Sequence, residues 1–136
     1  MIRLSELLGH DALALGSATK AGTVTGIAIE KHRIVAIGVS GSTIAGSAVN
    51  AFDGDVLTFD ERLSNNGFEA IVTTSDPRGT RVLDVHGDGL GVVTDMTIST
   101  DGAIEAIVVS TGEVLLGSRL VTIGSYAAII SVEASS

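Results

Sequence analysis

The stretch Asp84-Val-His86-Gly-Asp88-Gly89 concentrates the groups most able to do chemistry. Oxygen-bearing residues alternate along it, a glycine stands sixth and Asp95 falls twelfth, the order in which a calcium loop presents its ligands. Against that reading, His86 is a poor ligand for a hard cation, the twelfth position calls for the longer reach of Glu, and neither flank has a helical pattern. Asp and Gly at this density are what a tight turn requires, and the stretch is read as a turn. His10, His32 and His86 are too scattered for metal-ligand spacing. Gly87-x-Gly89-x-Gly91 lacks the full dinucleotide fingerprint and any following helix, and no Gly-x-Ser-x-Gly elbow occurs. The acid pairs Asp53/Asp55 and Asp60/Glu61 flank Val56-Leu57-Thr58-Phe59; catalytic carboxylates would need an enclosed pocket to raise one pKa, and these are read as solvated strand ends. With no Cys, disulfides, thiolate metal sites and cysteine nucleophiles drop out together. The expectation is therefore no catalytic residue, no metal and no cofactor: a protein that is not an enzyme.

Composition narrows the partners. The chain has 136 residues, 45% hydrophobic and 18% charged, with a formal net charge of −8. That is too apolar for a disordered chain. Residues 1–64 carry five basic and seven acidic side chains and residues 65–136 three and nine, balances of −2 and −6. Such acidity serves solubility first and a basic partner surface second. Only Phe52, Phe59, Phe68 and Tyr126 are aromatic, so stacking platforms and basic patches are both missing and direct nucleic-acid binding is not expected. No secretory signal opens the sequence. The uncharged run Ile34–Phe52 is long enough to span a bilayer, but its Ser, Gly, Thr and Asn residues break it, and no transmembrane segment is expected. Cytoplasmic is the default location.

The elements that must position these residues repeat. Gly22-Thr-Val-Thr-Gly-Ile-Ala-Ile29 resembles Gly91-Val-Val-Thr-Asp-Met-Thr-Ile98; Arg33–Val39 resembles Ala103–Val109; Gly46-Ser47 and Val49 match Gly117-Ser118 and Leu120. A period of about 70 residues suits two small duplicated domains, here 1–64 and 65–136, rather than a solenoid. Within each, β-branched residues alternate with period two, which predicts short strands. The expected strands are 12–16, 22–30, 33–40, 43–50 and 55–59, then 70–74, 81–85, 90–99, 103–110, 113–123 and 127–133. Lys31-His32, Asp53-Gly54, Asp88-Gly89 and Asp101-Gly102 mark the turns. Helix is scarce: Ser5 is placed to cap Glu6-Leu7-Leu8, Pro77 to open a turn, and Asp60–Gly67 is the expected linker. The fold class is all-β: two small antiparallel β-barrel repeats packed together, closed so that edges disappear.

The second copy, with Arg78-Gly79, Val82-Leu83-Asp84-Val85, Asp88–Val93, Asp95, Asp101-Gly102 and Ile104–Val109, resembles a PRC-barrel domain. That small barrel is seen in the cytoplasmic part of the photosynthetic reaction-centre H subunit and in ribosome-maturation factors. The first copy departs from it, with Gly26 in place of Asp95 and Lys31-His32 in place of Asp101-Gly102. The resemblance implies an adaptor or assembly module with no catalytic residues. The expected function is docking of a protein partner through exposed strand edges or hairpins. Asp88, Asp101, Glu105, Arg119 and Tyr126 on the acidic copy are the candidate partner-binding residues. Self-association into a homodimer or larger structural assembly is the alternative, and an accessory role in ribosome or RNA processing a more distant one.

Overall fold

The computed structural model describes residues 1–52, 54–60 and 74–131. The alternating β-branched runs form strands throughout. The first sheet contains β2 (Asp11–Ala14), β3 (Thr19–Glu30), β4 (Arg33–Val39), β5 (Ser42–Ala45), β6 (Val49–Ala51) and β7 (Val56–Phe59), in the order β5-β4-β3-β2-β7-β6. The second contains β8 (Arg81–Asp84), β9 (Gly89–Ile98), β10 (Ile104–Val109), β11 (Val114–Leu116), β12 (Leu120–Ile123) and β13 (Ala127–Ile130), in the order β11-β10-β9-β8-β13-β12. Strand for strand this is the same topology. The agreement reaches single hydrogen bonds. Val24 N–H donates to His10 as Val93 does to Thr80, and Gly9 to Val24 as Gly79 does to Val93. Likewise Thr23 N–H donates to Ser40 Oγ at 2.9 Å and Val92 N–H to Ser110 Oγ at 3.0 Å.

Three expectations about the sheets are corrected. The strands are not all antiparallel: β7 runs parallel to β2 and β13 parallel to β8. The runs 43–50 and 113–123 are not single strands. Each breaks at a 3-10 turn, Gly46–Ala48 and Gly117–Arg119. A Cβ on Gly46 would stand 2.7 Å from the Ile34 carbonyl oxygen, and one on Gly117 only 1.7 Å from that of Ile104, so only glycine lets the chain corner this tightly. Among the described residues, neither sheet closes through a hydrogen-bonded ladder. Its two end strands, β5 and β6 or β11 and β12, are instead joined covalently through that corner.

Among the described residues, helix is confined to α1 (Leu4–Leu7) and the two 3-10 turns named above. Arg3, not Ser5, takes the capping position, its N–H donating to Glu6 Oε1 at 3.1 Å. Near Pro77 the chain makes a turn, with Thr80 N–H donating to the Pro77 carbonyl at 3.1 Å. The linker Asp60–Gly67 beyond Asp60, the strand 70–74 before Thr74, Asp53, Glu61 and the end of the 127–133 strand lie outside the described residues.

The two sheets meet about a pseudo-twofold axis. Arg33 and Ala103, equivalent positions directly after the β3–β4 and β9–β10 turns, bridge each other. Ile34 N–H donates to Gly102 (2.9 Å) while Ile104 N–H donates to His32 (2.7 Å). Each sheet also receives the segment leading into the other. β1 (Ile2–Arg3) pairs antiparallel with β9, and Ser75 exchanges both backbone bonds with Ile27 of β3, at 2.8 and 2.9 Å. Buried apolar side chains, among them Leu4 of α1, Phe52 just after β6, and Ile37, Leu57, Met96, Ile107 and Ile130 from the two sheets, form one continuous core. The uncharged run Ile34–Phe52 supplies β4, β5 and β6; among the described residues no helix is long and apolar enough to cross a membrane.

Candidate partner-binding surface

The calcium-like stretch is used internally. Asp84 Oδ1 accepts the N–H groups of His86 (2.8 Å) and Asp88 (3.0 Å), turning the chain from β8 into β9. Asp95 is committed elsewhere. Its carboxylate accepts Ser5 Oγ–H at 2.7 Å, Ser5 N–H at 3.0 Å and Met96 N–H at 2.8 Å. Partial burial works to raise its pKa, but these hydrogen bonds and the Arg3 charge outweigh it and hold the carboxyl below its ordinary value. This explains the departure between the copies. At the equivalent Gly26, a Cβ would sit 3.0 Å from the Ser75 nitrogen, so Ser75 can bond the β3 backbone directly. In the second sheet, the Asp95 side chain receives the equivalent residue, Ser5.

The five candidate residues fall in different settings. Asp101 belongs to the seam: Arg33 lies 3.5 Å from its carboxylate and also donates to its carbonyl at 3.0 Å. Ser99 Oγ–H and Ala103 N–H also bind the carboxylate, and these bonds, with Ser99 first, lower its pKa. Arg119 is half-buried and turned inward, its Nε and Nη2 donating to the Ser131 carbonyl at 3.0 and 2.6 Å. Tyr126 is 69% exposed; its hydroxyl accepts from Arg81 Nη1 at 2.7 Å, and the Arg81 guanidinium lies 5.5 Å from the ring centroid. Asp88 and Glu105 are exposed. Among the described residues, no hydrogen bond or ion pair joins any two of the five.

What residue-by-residue reading missed is an apolar edge. Among the described residues, β11 pairs with β10 on one side only, as Val108↔Val114, Ile107↔Leu115 and Ala106↔Leu116. Leu115 points into the core, while Val114 and Leu116 are 63% and 54% exposed. They share a face with Ala106 and Val108, both half-buried. Counting from the Val109 N–H to Glu113 bond, the antiparallel alternation turns the backbone N–H and C=O of Val114 and Leu116 away from β10. Val121 (48% exposed) and Tyr126 extend the exposed set along the same chain segment. At the equivalent positions the first sheet has Thr43, Ala45, Asn50 and Asp55. The matched Val49 and Leu120 already carry this register in the sequence, so the contrast was available there.

The fold is thus all-β, two sheets of the same strand order packed around one core. Residues 69–135 match the family model of the PRC-barrel domain. No curated protein matches the chain in sequence.

Proposed function

We propose that the chain is a non-catalytic adaptor made of two PRC-barrel units, near 1–64 and 65–136, that binds a protein partner through its second sheet. Extending the unit to the first half is supported by the identical strand order and the repeated hydrogen bonds. One observation carries the binding reading: on a duplicated framework, the second sheet exposes Val114, Leu116, Val121 and Tyr126 where the first has Thr43, Ala45, Asn50 and Asp55. A solvated edge gains nothing from large apolar side chains, whereas a docking edge uses them as anchors. Asp88, exposed in the β8–β9 turn, and Glu105, exposed on β10, would supply charge around those anchors; Asp101 and Arg119 are engaged within the molecule. The setting proposed is the cytoplasm.

A photo-crosslinking amino acid placed at Val114, and at Thr43 as its control, tests this in the native cell. A discrete adduct with another protein from position 114 alone is the expected result. Equal labelling from both positions, or none from 114, overturns it. An adduct of twice the chain mass would favour the alternative, self-association.

A further inference from the structure

We propose that the β11 edge takes an extended peptide as an added strand, and that the peptide alternates apolar residues with Lys or Arg. This rests on the reading of the second sheet as the docking surface and names what docks. The outward N–H and C=O of Val114 and Leu116 provide the pairing groups, and their side chains provide two anchors on one face. The charge requirement comes from the surroundings. Glu105 on β10 and Glu113 immediately before β11 are exposed, and among the described residues no ion pair or hydrogen bond engages their carboxylates. The nearest cation along the chain, Arg119, spends its guanidinium on the Ser131 carbonyl. Residues 65–136 carry nine acidic against three basic side chains, so the wider field has the same sign. A second copy of the chain fits less well. Two molecules of net charge −8 repel, and an edge of three residues buries far less than the roughly 1,000 Å² expected of a stable dimer.

Backbone pairing can be isolated at one residue. Leu116 has φ −65°, the value proline imposes, and its N–H is not used by the β10 ladder. Leu116→Pro therefore removes the outward donor while keeping the strand, and Leu116→Ala removes the side chain while keeping the donor. The probes are a synthetic peptide alternating valine with lysine and the same peptide with glutamate for lysine, titrated into the full-length isotope-labelled chain. The expected result is amide shifts centred on Glu113–Leu116 and β10. Binding should be about tenfold weaker for the glutamate peptide, and weaker again for Leu116→Pro than for Leu116→Ala. Equal binding by Leu116→Pro and Leu116→Ala, equal binding of the two peptides, or shifts centred on Ser42–Ala45 overturns the proposal. If cellular adducts at position 114 persist while any of these holds, strand addition fails and the second-sheet adaptor stands. If the adducts are also absent, both fail.

Discussion

Asp95 shows how one residue can set apart two sheets of the same strand order. Its carboxylate holds the N-terminal segment through Ser5, and its pKa is lowered by that arrangement despite partial burial. A carboxyl whose folded pKa lies below its unfolded value stabilises the fold above the ordinary carboxylate range and loses that contribution as pH falls through the lowered value. Asp95→Asn should therefore cost about 1 kcal/mol at neutral pH, and the difference from wild type should vanish in acid. Urea midpoints measured from neutral pH down to about pH 3 check this; a pH-independent difference would show that charge has no part. Ser5→Ala should produce little further loss in the Asp95→Asn background, the signature of a shared interaction.

At the scale of the element, the glycine corners and the β11 edge make opposite predictions. Gly117→Ala would place a methyl group 1.7 Å from the Ile104 carbonyl oxygen, which only backbone movement can relieve. A loss of about 3 kcal/mol or more is expected, and a smaller one for Gly46→Ala, where the approach is 2.7 Å. Denaturation of the two variants reads the order directly, and equal tolerance would mean the corner yields. By contrast, Val114→Thr with Leu116→Ala installs the residues of the first sheet at exposed positions. Stability should stay within about 0.5 kcal/mol of wild type while binding of the valine–lysine peptide is lost. Unfolding of this double variant would assign the exposed valine and leucine to packing instead.

The whole molecule is predicted to unfold as one unit. Its sheets share a core, exchange their leading segments and meet through reciprocal backbone bonds. Calorimetry should give a single transition whose van't Hoff and calorimetric enthalpies agree; two resolved transitions would show that the seam is weak. Phe52, 2% exposed, packs from the first sheet against Gly102 of the second, and its N–H donates to Thr100 at 2.9 Å. Phe52→Ala should cost roughly 3 kcal/mol and lower the one transition as a whole rather than split it.

Local chemistry carries far along this chain. Period-two alternation and the Lys31-His32 and Asp101-Gly102 turns are short-range properties, so the strands β3, β4, β9 and β10 and their hairpins were legible in the sequence. So was the match of Gly46 with Gly117, although not that each breaks a strand, because the obstacle is a carbonyl from another strand. Asp84-Val-His86-Gly-Asp88-Gly89 was also readable as a turn, since its bonds are made within the stretch. Long-range pairing is a different matter. Alternation does not say which strands are neighbours, so the parallel β2–β7 and β8–β13 pairs and the crossing of β1 to β9 were decided only in three dimensions. The same holds for the candidate surface. A residue type does not reveal whether its side chain is already spent, and the seam claimed Asp101 while Ser131 claimed Arg119. What tertiary structure left over was the β11 edge, whose valine and leucine look like core in the sequence and stand exposed in the fold.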